Sequence, residues 1–175
     1  MKYILSLLGV GIIVCAIFLC GGKQQEVNQD YLRIHISANS NTTQDQNVKY
    51  VVKDAVVDFL IPYLADAVNK EEAMKIVQAN LNKIEEVANQ ALKAEGVYYS
   101  ATIKLSEEEV PTRAYSNLVL ESGIYDCLEI ELGDAQGDNW WCVVFPAVCF
   151  LSSENLENCE YISKIWEIIN SVTNK

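Results

Sequence analysis

Histidine occurs once in the 175-residue chain, proline three times and methionine twice, and no two cysteines are spaced as Cys-x-x-Cys. One imidazole cannot complete the usual histidine-based zinc sets. Cys127, Cys142, Cys149 and Cys159 also lack the paired knuckles of a four-cysteine site, so neither a metal nor a cofactor is expected. Basic charge is scarce too: 13 Lys and Arg stand against 24 Asp and Glu. Without Lys2 and Lys23 the balance is 11 to 24, a formal charge of −13. Such a surface repels phosphate backbones and anionic headgroups, which excludes nucleic-acid binding and a basic membrane patch. Internal repeats and low-complexity tracts are absent, and the length suits one domain with its own core.

One long apolar run is present. Met1-Lys2-Tyr3 precedes the uncharged stretch Ile4 to Cys20, and Gly21-Gly22-Lys23 closes it. Residues 1–23 read as a signal peptide or a retained membrane anchor, at the short limit for spanning a bilayer. Leu19 directly before Cys20 is too bulky for a lipoprotein site. The remainder is therefore expected to be exported, touching the membrane only through this N-terminal segment. Its four cysteines then lie where disulfides are permitted.

After a polar tether, residues 24–30, the period of the sequence changes several times. "YLRIHISANS" alternates Leu32, Ile34 and Ile36 with Arg33, His35 and Ser37, as a strand does. "TQDQ" (Thr43 to Gln46) and "NKEE" (Asn69 to Glu72) read as capping boxes opening two helices. The first carries Val48, Val51, Val52, Ala55, Phe59 and Leu60 on one stripe and ends or kinks at Pro62. The second runs to Gly96. "VYYSATIKL" returns to period two, and "SEEE" (Ser106 to Glu109) reads as a solvated connection. "YSNLVL" and "IYDCLEIELG" read as a hairpin turning at Glu121-Ser122-Gly123. A loop, "GDAQGDN", leads to "NWWCVVFPAVCF". Tyr161 to Ile169 has the pattern of a terminal helix. The expected fold is a single α+β domain: strand, two helices, antiparallel strands and C-terminal helix behind the export segment. The domain spans 31–151 and a helical extension 152–175.

"YLRIHISANS…DQNVKYVVKDAV", "VPTRAY" and "GDNWWCVVFPAVCF", in this order behind an export signal, resemble the stage II sporulation protein R family. The resemblance covers about Tyr31 to Leu151. It implies an exported signal of endospore formation, located in the intermembrane space between forespore and mother cell. Its implied partner is a membrane-embedded aspartic protease, which on activation matures the sigma-E precursor. The family is not an enzyme family. Cys127 and the extension after Leu151, with Cys159 and Trp166, lie outside its motifs.

A second reading is a secreted or anchored cysteine hydrolase acting on wall or peptide substrates. His35 would be its base, Cys142 or Cys149 its nucleophile, and Asn39 or Asn139 the orienting residue. Apolar neighbours that raise a thiol pKa, and the lack of a strained elbow, speak against it. The residues expected to meet a partner are Arg33, His35 and Asn39, with Trp140 and Trp141. His35 reads first as an outer-face strand residue paired with a neighbouring carboxylate. Alternatively, with Arg33 on the same strand face, it would form a small cationic feature on an acidic domain. The tryptophans should point to opposite faces, one toward the core and the other either covered by the C-terminal helix or left exposed as an aromatic anchor. Pro146 should break the strand, allowing a Cys142–Cys149 disulfide to close the loop. Cys127 is paired with Cys159 by the strand face it occupies.

Overall fold

The protein structure, a computed structural model, describes residues 30–115 and 118–146. Strand β1 (Leu32–Ser37) is followed by helices α1 (Thr43–Leu64) and α2 (Lys70–Ala94). Five strands complete the order: β2 (Ala101–Val110), β3 (Arg113–Tyr115), β4 (Leu118–Leu120), β5 (Gly123–Leu132) and β6 (Asn139–Phe145). The main sheet has the order β2-β5-β1-β6. In it β1 runs parallel to β5 and antiparallel to β6, so the sheet is mixed. The parallel pair requires a crossover, which the helices supply on one face of the sheet. The expected α+β class is observed over these residues; the export segment, Cys149, Cys159 and the C-terminal helix fall outside them.

Local chemistry accounts for most boundaries. The Thr42 hydroxyl accepts from the Asp45 backbone N–H, capping α1 one residue before the expected box. Asn69 caps α2 as expected, and Glu72 reaches back to the Val68 N–H. Gly96 adopts φ +71°, the left-handed conformation that closes a helix, with Val97 N–H bonded to the Leu92 carbonyl. Pro62 does not end α1, which continues to Leu64. Sitting in the last turn, it leaves little helix to disrupt. Val48, Val52, Val56, Val57, Leu60 and Leu64 are its buried apolar stripe, whereas Val51 is exposed.

Two expectations about the strands are corrected. "SEEE" is not a connection: β2 continues through it to Val110, paired residue for residue with β5 from Ala101↔Leu132 to Val110↔Gly123. The charges conceal an alternation in which Ser106 and Glu108 turn to one face and Glu107 and Glu109 to the other. Nor do the two expected hairpin strands pair with each other. β4 pairs with β3 in a separate ribbon, Arg113↔Leu120 to Tyr115↔Leu118, while β5 takes its place between β2 and β1. Ten paired positions with β2 outweigh what a three-residue strand offers.

The sheet has two unlike faces. Leu32, Ile34 and Ile36 lie with Leu128, Ile130 and Leu132 against the helices, all of them fully buried. The register places Arg33, His35 and Ser37 on the other face with Cys127, Glu129 and Glu131 of β5. All six residues of β1 are buried, so the polar set is enclosed at β1 and Cys127, while Glu129 and Glu131 are partly exposed.

Candidate functional site

The polar set is assembled from three neighbouring strands plus the edge strand. His35 on β1 lies directly opposite Glu129 on β5, and its Nδ1 is 2.8 Å from Oε2 of Glu108 on β2. Glu108 sits opposite Tyr125 in the register, so its side chain leans along the sheet to reach the imidazole. The Ser106 hydroxyl lies 3.1 Å from Glu108 Oε1 and 2.9 Å from Glu129 Oε2, and its single proton can go to only one of the two carboxylates at a time. Lys104 reaches Glu129 from the solvent side at 3.1 Å. Burial alone would push the Glu129 carboxyl up, but hydrogen bonds from Ser106 and Lys104 outweigh it and hold it below its ordinary value. The Lys104 ammonium is raised, first by its hydrogen bond to Glu129.

On the other side of the imidazole, Nε2 is 3.1 Å from Ser37 Oγ, which donates to Asn139 Oδ1 at 3.0 Å. Trp141 closes the ring from β6, stacked on it with centroids 3.7 Å apart and planes 9° from parallel. The strand alternation that separates Trp140 from Trp141 is therefore what builds this contact. Trp140 points to the helix side, where the Lys53 ammonium lies 5.7 Å from its ring centroid. Both tryptophans are half-buried, on the outer strand of the sheet among the described residues. β6 ends at Phe145, before Pro146, as expected.

Arg33 occupies the next position along this face and is 0 % exposed. Its Nη2 donates to the Tyr115 hydroxyl at 2.6 Å, and its guanidinium lies over the Tyr125 and Tyr115 rings at 4.9 and 5.6 Å. Nε and Nη1 have no hydrogen-bond partner among the described residues. The sequence places Arg33 and His35 on one face correctly, but they do not form a surface feature. Tyr115 from the β3–β4 ribbon and Tyr125 from β5 enclose the guanidinium. Nothing in the spacing of "VPTRAY" reveals that this tyrosine meets Arg33, 82 residues away.

Asn39 braces loops. Its Nδ2 donates to Asp45 at 2.9 Å and its Oδ1 accepts from the Asp134 N–H at 2.9 Å. Asn41 accepts from the Asp138 N–H, and the Gln136 and Gly137 N–H groups bond to the Asn39 and Ala38 carbonyls. Residues 38–41 thereby clamp the loop between β5 and β6. A Cβ on Gly137 would strike the Ser40 carbonyl, which explains the glycine. Ser40, Tyr99 and Asn39 all hydrogen-bond Asp45 and, Ser40 first, hold its carboxyl below its ordinary value.

The cysteines divide between the faces. Cys127 is fully buried on the polar face and carries a free thiol. Burial first, then the Glu108 charge, push that thiol up out of the range of a usable nucleophile. The expected Cys127–Cys159 pair is not seen at Cys127, which is enclosed in the sheet face, and Cys159 lies outside the described residues. Cys142 is buried opposite Ile34, on the helix side and away from His35. Its proposed partner Cys149 lies outside the described residues. Acid, imidazole and hydroxyl do line up as Glu108, His35 and Ser37, in the order of a nucleophile relay. Ser37, however, closes β1, is buried, and gives its proton to Asn139.

Comparison with known proteins follows the same stretch. The model of the Stage II sporulation protein R family matches residues 28–155. Stage II sporulation protein R of Bacillus subtilis (strain 168) is 36% identical over 126 residues. That match covers 72% of this chain and 56% of the relative, so the chain spans little more than half of that protein's length. No solved structure matches the chain. The chain belongs to the Stage II sporulation protein R family.

Proposed function

We propose that this protein is an exported signal of endospore formation that acts from the space between forespore and mother cell. It activates a membrane-embedded aspartic protease, which then matures the sigma-E precursor. Family membership over residues 28–155 carries this reading. The apolar segment 1–23 and the acidic remainder support it, since they suit an exported protein that engages another protein and not a nucleic acid. The hydrolase alternative loses support at the described cysteines: Cys127 is a buried, raised thiol, and Cys142 lies across the sheet from His35.

The contact with the protease is assigned to the aromatic end of β6. An outer strand with two half-buried tryptophans offers both backbone pairing and anchor side chains. Arg33, His35 and Asn39 shape that surface from behind, through Tyr115, Trp141 and the clamped loop. The test is complementation: the full-length chain is produced in the forespore of Bacillus subtilis lacking its own Stage II sporulation protein R. Restored cleavage of the sigma-E precursor is expected, and a version lacking residues 1–23 should fail. Trp140→Ala and Trp141→Ala should each lower processing by roughly thirtyfold in apparent affinity, the scale of a lost anchor. Cleavage by the form without residues 1–23, or losses that only follow lost folding, would overturn the proposal.

A further inference from the structure

We infer that His35, Glu108 and Glu129 form a binding site for one divalent transition-metal ion, of the zinc class. The inference is independent of the signalling role proposed above. One ligand atom from each of the three residues can be chosen so that all lie within 4.8 Å of one another. Each comes from a different strand, β1, β2 and β5, so the rigid sheet sets the geometry and no loop has to order. Zinc with nitrogen and oxygen ligands places them roughly 3.3 Å apart in tetrahedral geometry, a contraction that three long side chains can make. The mixed nitrogen and carboxylate set favours zinc, iron or manganese over calcium and magnesium.

Hydrogen-bond bookkeeping supplies the stronger argument. Ser37 has one hydroxyl proton, and it goes to Asn139 Oδ1. Toward His35, Ser37 Oγ can then only accept, which puts the ring proton of a neutral imidazole on Nε2. Nδ1 is left with a lone pair aimed at a carboxylate oxygen 2.8 Å away. Two lone pairs do not face each other at that distance without a cation between them. That cation is either a second proton or a metal ion.

Several surrounding contacts have the form of outer-shell support. Metal-binding imidazoles characteristically tie down their other nitrogen, as Ser37 does here. Ser106 lies within hydrogen-bond distance of both carboxylates and donates to one of them, and Trp141 stacks on the imidazole. Side-chain exposure is 9 % for His35 and 17 % for Glu108, so the site is mostly shielded yet reachable from solvent. Three protein ligands leave a coordination position open. The charges facing the cluster are the Lys104 ammonium on Glu129, Glu131 beyond it, and Arg33 two positions along β1. Lys104 is half-exposed and is the cation that a metal would displace.

The competing arrangement holds no metal: either a second proton on Nδ1 makes an ion pair with Glu108, or the Asn139 amide is reversed. With the amide reversed, Ser37 would donate to Nε2 and the ring proton would sit on Nδ1 against Glu108. The two arrangements are separated with the purified full-length chain in detergent, treated with chelator and reloaded with Zn²⁺ or Co²⁺. Elemental analysis should find one zinc per chain, and Co²⁺ should give ligand-field bands without a thiolate charge-transfer band. Glu108→Gln and Glu129→Gln, checked for folding by far-ultraviolet circular dichroism, should not retain the ion. Ser37→Ala should weaken it by about tenfold to a hundredfold. Lys104→Met, which removes the competing ammonium, should bind more tightly than the parent. This last variant keeps the test decisive if a carboxylate variant fails to fold. No retained metal, a thiolate band, or equal binding by parent, Glu108→Gln and Lys104→Met would overturn the assignment.

Discussion

The two faces of the sheet differ in chemistry and in cover. The helix side is fully buried at its centre, while the polar side is buried at β1 and opens to solvent toward Lys104 and Glu131. Toward the helices, Leu32, Ile34, Ile36, Leu128, Ile130 and Leu132 form an apolar layer that any α+β domain would have. Toward the other side, the same strands enclose an arginine, a histidine, two serines, two glutamates and a cysteine. Burying aliphatic side chains stabilises a fold directly, whereas burying polar groups costs free energy that hydrogen bonds at best offset. A well-packed apolar second face would stabilise the fold about as well as so elaborate a polar one. Its presence at the centre of the sheet therefore points to function, and the helix face to the stability that tolerates it.

The comparison breaks most visibly on the helix face. Leu128→Ala should cost about 2–5 kcal/mol of unfolding free energy, since the residue is wholly enclosed by β1, β2 and the helices. Chemical denaturation measures this. A loss of processing in that variant should be no larger than its loss of folded protein.

Next comes the loop clamp. Asp45→Asn should cost about 2–3 kcal/mol by weakening its bonds to Ser40, Asn39 and Tyr99. Because the folded carboxyl lies below its ordinary 3.8, its ionised form is favoured in the folded state. The unfolded chain therefore takes up the proton first as pH falls. This contribution is fully present above 3.8 and is lost as pH drops through the lower folded value. Denaturation midpoints measured as pH is lowered past 3.8 should fall less steeply in Asp45→Asn than in the parent.

Arg33→Met tests the polar face with the opposite sign. The fully buried guanidinium has two nitrogens without partners among the described residues, and Met fills a similar volume without a charge. Stability should stay unchanged or rise, by up to about 2 kcal/mol, while processing falls. A strongly destabilised Arg33→Met would show that Tyr115 and Tyr125 compensate the charge fully. The smallest effect is expected at Cys127. Its enclosed, raised thiol should resist alkylation in the folded chain and react on unfolding, as read by mass spectrometry. Ready alkylation of the native protein would mean that this face opens to solvent.

Much of this molecule could be read from periodicity. The alternation in "LRIHIS" located both faces of β1, and Asn69 and Gly96 marked the ends of α2 through cap chemistry alone. The adjacent tryptophans had to diverge, and they do. What periodicity could not supply was partnership between distant strands. "SEEE" looked solvated because its charge hides its alternation, so Ser106 and Glu108 were passed over, and Glu129 was noticed only as an outward residue. Their role follows from β5 inserting between β2 and β1, a choice made by long-range pairing. The same pairing enclosed Arg33 and His35, which strand alternation alone leaves on an open face. An alternation of polar residues on a strand flanked by apolar ones on both sides is the one local signal that could have pointed there.

His35→Phe tests the division of labour between the faces most directly. Phenylalanine keeps a flat ring against Trp141 but removes both nitrogens, and with them the links to Glu108 and Ser37. Folded yield and sigma-E precursor cleavage would be measured together in the Bacillus subtilis complementation strain. The expected result is a folded amount close to that of the parent with cleavage largely lost. Cleavage that stays in proportion to folded protein would contradict a functional role for the polar face.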